Sequence, residues 1–424
     1  MIDMPTSHTI YVLFLLFFVI NTLGQLYLSF RQSRAVLAHR HAVPAAFMET
    51  VSPAEHQKGA DYTLAKQGLA RYEILFQAAL LLIFTLGGGL NTLFLISQKI
   101  TAQPIGQGVL LIGLFVLING ILSLPFDLYR HFRLEAQFGF NRMTLATFIS
   151  DQIKGVLLTT VLGAPLLFAV IYLMGAAGNG WWLWVWGLWL GFSWLMMWAF
   201  PKWIAPLFNR FTPLADLDLK QRIEALLHRT GFHSNGIFVM DGSKRSGHGN
   251  AYFTGLGKNK RIVFFDTLIK DMLPEEVEAI LAHELGHFAH KHIIKQMLLT
   301  SVLVLLVLAI LGWLLPQAAF YQGLGVSHAS YAMALLLFLL VLPLMIFPFS
   351  PLAGLLSRRN EFEADRFAAK YAHAQDLIRA LTKLYRSNAA SLVSDVWYSR
   401  FYDSHPPAHE RIAALQVAIK STST

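Results

Sequence analysis

His283, Glu284 and His287 stand in the order H-E-x-x-H. On a helix, residues four apart lie on one face, one turn above the other, so both imidazoles can reach a single ion. Glu284 then points beside that ion, where a base must sit to take a proton from water. This is the pattern of a zinc-peptidase helix, and the chemistry it serves is metal-assisted hydrolysis. Two surface histidines beside a solvated glutamate would spell the same five letters, so the weight falls on what else the chain supplies.

A catalytic zinc needs a third protein ligand and one open position. His290 shares the face of His283 and His287, but it lies about 10 Å up the helix from His283, and zinc–nitrogen bonds are about 2 Å. The longer signature H-E-x-x-H-x-x-G-x-x-H fails as well, because its glycine position is His290 and its last histidine position is Ile293. The segment R-R-N-E-F-E-A-D at 358–365 offers the missing ligand. On a helix Glu361 and Asp365 share a face and Glu363 points away. Glu361 is expected to bind the zinc, with Asp365 behind a ligating histidine to orient its ring. Spacing alone keeps Glu363 open as the alternative.

The elements that carry these residues belong to a membrane protein. Of 424 residues, 55% are hydrophobic and only 14% charged, whereas soluble chains carry about 25% charge. There is no cysteine, which excludes disulfides and thiolate sites and leaves histidine and carboxylate as ligands. A net charge of +9 would suit nucleic acid, but the basic residues lie in loops between apolar runs. They read as topology determinants, and no nucleic-acid partner is expected. The segment Met1 to His8 has an acidic residue and no basic one, unlike a cleaved signal peptide.

Seven apolar segments are long enough to cross a bilayer, near 10–30, 72–96, 109–124, 156–174, 181–200, 293–315 and 331–347. The loops alternate in basic content. Arg31, Arg34, Arg40, Lys58, Lys66 and Arg71 fill the first, Arg130, Arg133, Arg142 and Lys154 the third, and Lys202, Arg210 and Lys291 flank the fifth. The second has only Lys99, and the fourth and sixth have none. The positive-inside rule then puts the N-terminus outside and the zinc motif and C-terminus in the cytoplasm. Asn21, Gln25, Gln77 and Asn119 should avoid lipid, as contacts between helices or as the lining of a wet interior. Trp181, Trp182, Trp184 and Trp186 suggest an interfacial belt. In the long fifth loop, 237–240 and 261–265 read as strands. Pro274, Glu275 and Glu276 start a helix that is expected to run through His287 unbroken into the sixth span. Neither an internal repeat nor a low-complexity tract is evident.

The zinc pattern followed by Glu361-x-x-x-Asp365 resembles the integral-membrane type I CAAX prenyl endopeptidases, the a-factor-converting enzyme family. L-P-F-D-L-Y at 124–129, F-G-F-N at 138–141, I-A-P-L-F-N at 204–209, H-G-N-A-Y-F-T-G at 248–255 and S-H-P-P at 404–407 are similar to that family's further motifs. The resemblance covers most of the chain. It implies an all-α polytopic fold, with seven transmembrane helices enclosing a hydrated chamber and a small α+β zincin-like insert on the cytoplasmic side. It implies that Asn250, Ala251 and Tyr252 form an edge strand pairing with substrate backbone, that His405 donates to the oxyanion and that Arg411 supports it. By spacing alone, that strand reads equally well as a hairpin connection.

The reading is a zinc metalloendopeptidase with one Zn²⁺ per chain, held by His283, His287 and Glu361, with Glu284 as base. Its partners are the bilayer and a peptide or protein substrate, CAAX-type prenylated or otherwise membrane-associated. Residues 1–210 form a membrane domain and 211–424 a peptidase domain that includes spans six and seven. Two rivals differ in kind: a stress-induced quality-control protease, which by resemblance has about four spans, and a non-catalytic transporter or scaffold, which would tolerate Glu284→Gln.

Overall fold

The structure is a computed structural model that describes residues 6–254 and 261–422. Helices α1 (Ser7–Ala38) and α2 (Pro53–Phe84) form an antiparallel pair, followed by α3 (Gly89–Ile100), α4 (Pro104–Tyr129), α5 (Leu145–Ala176), α6 (Trp181–Ala199) and α7 (Ala205–Phe208). Strand β1 (Phe211–Pro213), helix α8 (Leu217–Thr230), strands β2 (Ile237–Met240), β3 (Ala251–Thr254) and β4 (Arg261–Phe265), and helices α9 (Asp266–Asp271) and α10 (Pro274–Ala289) make the insert. The chain re-enters the apolar bundle with α11 (His292–Leu314), α12 (Ala318–Gly323) and α13 (Tyr331–Ile346). It ends with α14 (Ser350–Tyr371), α15 (Ala374–Ser387), α16 (Val396–Tyr402) and α17 (Ala408–Thr422).

Seven helical segments among the described residues are long and apolar enough to cross a membrane. Their flanks leave Leu23, Phe30, Val161 and Leu298 exposed, as lipid-facing residues should be, while Leu111, Leu311, Met333 and Leu337 pack between helices. The second segment is displaced from its expected place. It spans Pro53–Phe84 and stops at Gly87-Gly88-Gly89, where Gly88 has φ 78°. The apolar stretch beyond is the separate short helix α3. The four tryptophans of the expected belt differ in their surroundings. Only Trp184 is largely exposed, whereas Trp181 is buried, Trp182 abuts Gly312 and the Trp186 indole N–H donates to the Ser301 carbonyl at 2.9 Å. Apolar faces on α6 and α11 thus use the indoles as packing.

The insert folds for local reasons. Asp216 caps α8 by accepting from the Leu219 N–H at 3.0 Å, and Leu219, Ile223, Leu226 and Leu227 form its buried stripe. The sheet order is β1-β2-β4-β3, with β2 and β4 parallel and both outer pairs antiparallel. Strand β3 is therefore an edge, and Phe253 from it packs on Phe288 of α10 with ring centres 4.5 Å apart. Pro274 begins α10, and Glu276 turns back to accept from the Leu273 N–H at 2.8 Å. The expected unbroken run from His287 into the sixth span does not form. His290 caps α10, Lys291 takes a left-handed backbone with φ 56°, and α11 starts afresh at His292. No glycine or proline marks this break, so local sequence hides it.

Candidate metal centre

Helices α10 and α14 cross at a contact made of small residues. Ala364 is fully buried, and a Cβ added to Gly286 would lie 2.8 Å from the Ala364 Cα. This close approach lets side chains from the two helices converge. The His283 and His287 Nε2 atoms are 3.3 Å apart. Glu361 Oε2 lies 3.4 Å from His283 Nε2, and Oε1 lies 3.4 Å from His287 Nε2. Zinc bonds of 2.0–2.1 Å in a tetrahedron require ligand atoms roughly 3.3–3.4 Å apart. The three groups are therefore close enough together to hold one zinc ion. A second observation agrees: Glu361 Oε2 is buried and accepts no hydrogen bond, which is costly for a carboxylate oxygen unless a cation meets it.

Behind His283 lies a buried ion pair. The Asp365 Oδ1 atom is 2.9 Å from His283 Nδ1, and the Arg411 guanidinium from α17 donates to both Asp365 oxygens at 2.6 and 2.9 Å. Burial opposes a charge on the metal-free His283, but the Asp365 and Glu361 carboxylates outweigh it and lift its pKa to about 9. On His287 burial, with repulsion from His283 adding to it, outweighs the attraction of Glu361, and its pKa falls to about 4. The Glu284 side chain makes no hydrogen bond among the described residues, and burial raises its pKa above the usual carboxylate range. A partly buried, unpaired carboxylate beside a metal is what a general base requires.

Other expected residues gather around the site. His405 places its Nε2 3.4 Å from Glu361 Oε1, and its Nδ1 pairs with the Ser404 hydroxyl at 2.8 Å. It lines a cavity of about 610 Å³ with Lys66, Glu73, Glu135, Tyr398 and Asp403. That cavity shares Gln67, Ala70, Glu73, Tyr398 and Tyr402 with another of about 390 Å³, lined by Asn21, Gln25 and Gln77. Three of the four polar residues expected to avoid lipid thus line this cavity; Asn119 lines neither. Asn250 precedes β3, with its carbonyl accepting from Phe265 N–H, and Ala251 and Tyr252 pair with Phe264 and Val263. His290 stacks on His292 with ring centres 5.5 Å apart. Glu363 points away from His283 and lies 3.1 Å from His292 Nε2.

Sequence reasoning missed a clasp at the base of β3. Tyr62 donates to Glu135 at 2.5 Å, and His248 Nε2 lies 3.5 Å from the same carboxylate. Phe140 stacks on His248 at 4.3 Å, and Asn388 accepts from the Gly249 N–H at 3.1 Å. The F-G-F-N and H-G-N motifs were visible in the sequence; their partners come from α2, the turn after α4 and the C-cap of α15 and were not.

Residues 32–210 match the family model described as CAAX prenyl protease N-terminal, five membrane helices, and residues 213–419 match peptidase family M48. The chain belongs to the M48 peptidases. It is similar to CAAX prenyl protease 1 of Saccharomyces cerevisiae, 35% identical over 329 residues, 74% of this chain and 73% of that one. The CAAX prenyl protease 1 homolog of Dictyostelium discoideum is 33% identical, covering 95% of each chain. That of Homo sapiens is 30% identical over 98% of this chain and 97% of its own. The crystal structure of S. mikatae Ste24p has a TM-score of 0.90 to this M48 peptidase at 29% identity, covering 97% of this chain and 100% of that one. This M48 peptidase is a multi-pass integral-membrane zinc metalloprotease, and its His283, His287 and Glu361 form a group able to hold the ion.

Proposed function

We propose that this M48 peptidase is an endopeptidase for CAAX-type prenylated or similarly membrane-associated peptides, with zinc held by His283, His287 and Glu361. The observation that carries this is the convergence of those three groups beside His405, which lines a cavity that shares Gln67, Ala70, Glu73, Tyr398 and Tyr402 with a second one between α1 and α2. The relatives' names, CAAX prenyl protease 1, support the substrate class.

Bound zinc supplies Lewis acidity to a water molecule and to the scissile carbonyl. Glu284 takes the proton from the attacking water and hands it to the leaving amine. Its burial, by raising its pKa, makes it a stronger base in the first step. His405, with Nδ1 engaged by Ser404, donates its Nε2–H to the developing oxyanion. The open edge of β3, entered at Asn250 and continued by Ala251 and Tyr252, pairs with substrate backbone and so accepts many sequences. Asp365 and Arg411 fix the tautomer of His283.

We also propose a division near residue 210 into membrane and peptidase domains, with the N-terminus outside and the site and C-terminus cytoplasmic. The basic loops support this orientation. Cysteines placed at Gln322 and Lys58 test it on a cysteine-free background: external reagent should label position 322 in intact cells and leave 58 unlabelled, and the reverse pattern would invert the topology.

For the activity, purified protein in liposomes is given a farnesylated CAAX peptide and its unprenylated twin. Cleavage of the prenylated peptide, abolished by Glu284→Gln, is expected. Cleavage of neither peptide, alongside degradation of misfolded membrane proteins, would favour a quality-control role. Indifference to Glu284→Gln would favour a scaffold.

A further inference from the structure

We propose that His292 and Glu363 are positioning residues for His287, a His–His–carboxylate relay that holds the second zinc histidine in its binding tautomer. This rests on the ligand reading above. The His287 Nε2 atom faces His283 and Glu361, so Nδ1 is its outward nitrogen. That Nδ1 lies 3.0 Å from Nδ1 of His292, and His292 Nε2 lies 3.1 Å from Glu363 Oε2. With the Nε2 of a neutral His287 kept free for zinc, one proton arrangement satisfies these contacts. The His287 Nδ1–H donates to His292 Nδ1, His292 is protonated on Nε2, and that N–H donates to Glu363. A neutral imidazole on one side of a metal and a proton donated on the other is the arrangement that raises ligand basicity and fixes ring orientation.

The break between α10 and α11 is what makes the relay possible. In a continuous helix His292 would lie about 140° around the axis from His287, on another face. With Lys291 in the left-handed region, His292 is instead the first residue of α11, buried and turned back against His287. Each zinc histidine then has its own support from a different direction: Asp365 with Arg411 behind His283, and His292 with Glu363 behind His287.

The same atoms admit a rival, since His290, His292 and Glu363 lie close enough together to hold a second ion. The surroundings favour the relay. Arg359 already donates to Glu363 Oε1 at 3.2 Å, Lys295 adds positive charge beside His292, His290 is exposed, and His292 Nδ1 is engaged by His287.

Zinc content and apparent zinc affinity, by competition with a chromogenic chelator, test the relay on folded, monodisperse full-length protein. His292→Ala and Glu363→Ala should each weaken zinc binding 10–100-fold, and the double variant should be little worse than either. Glu363→Gln keeps an acceptor and should recover most of the affinity, which a bulk folding defect would not. Should His292→Ala fail to fold, the comparison of Glu363→Ala with Glu363→Gln carries the test alone. His283→Ala and His287→Ala are the reference arms. If they retain zinc, the ligand reading fails. If they lose it while His292→Ala and Glu363→Ala stay within twofold of the parent, the relay alone is wrong. Two zinc ions per parent chain, falling to one in His290→Ala, would overturn it in favour of a second metal site.

Discussion

Gly286 of α10 lies against Ala364 of α14 so closely that a Cβ on the glycine would sit 2.8 Å from the Ala364 Cα and 3.1 Å from its carbonyl oxygen. The neighbour is backbone and cannot swing aside. Gly286→Ala should therefore part the two helices, costing about 1–3 kcal/mol as other overpacked cores do. Because Glu361 rides on the displaced helix, zinc content should fall more than that stability loss implies. Metal analysis with thermal unfolding on one preparation checks this; a stable, fully zinc-loaded Gly286→Ala would refute it.

Glu284→Gln should keep about one zinc per chain, because its side chain is not among the three converging groups. Activity should fall roughly 10²–10⁴-fold, the usual contribution of a general base. Glu361→Ala should instead lose the metal, and Glu363→Ala should retain more of it than Glu361→Ala does. Metal analysis of the three variants would expose a mistaken ligand if zinc left with Glu363 alone.

Zinc uptake should depend on pH over an unusually high range. The metal-free His283 holds its proton up to about 9, whereas His287, with a pKa of about 4, is already neutral. Zinc accepts only neutral imidazole. Binding at neutral pH must then expel the His283 proton, and apparent affinity should climb with pH until it levels near 9. An ordinary histidine would level near 6.5. Asp365→Asn should bring that plateau down. Competition titrations from neutral to alkaline pH decide it, and a plateau already reached at neutral pH would count against the ion-pair account.

His405→Ala should lower kcat about 10²–10³-fold while zinc content and KM barely change, since an oxyanion donor acts in the transition state. Its side chain is over half exposed (58%), so little packing is lost and the melting temperature should hold. Zinc loss in this variant would make His405 a ligand instead; undiminished kcat would leave it no catalytic part.

What the sequence disclosed follows from what is local. Strands at 237–240 and 261–265 and the helix start at Pro274 match β2, β4 and α10 because β-branched runs and an N-terminal proline act within a few residues. The choice of Glu361 over Glu363 was partly visible, since Asp365 four residues on implies a shared face, and the structure puts both beside His283. The break at Lys291 was invisible, as no residue there forbids a helix; burial of His292 against His287 and Glu363 goes with it. The glycine triplet after Phe84 was in plain view but overlooked, because hydropathy ran on across it into α3. The clasp around His248 needed Tyr62 and Asn388, which are far away in sequence, and no spacing rule joins them.

Arg411, buried against Asp365, comes from the last helix of the chain, while the histidine it helps to orient lies on α10. The histidines leave the ribosome before the last two membrane crossings, and Glu361 and this guanidinium follow. A nascent chain can therefore carry the whole H-E-x-x-H segment and still lack a finished centre. Proteolytic competence arrives only after the final span has been inserted and the tail has folded back beneath it, so an unfinished copy has no assembled site with which to attack its neighbours during synthesis.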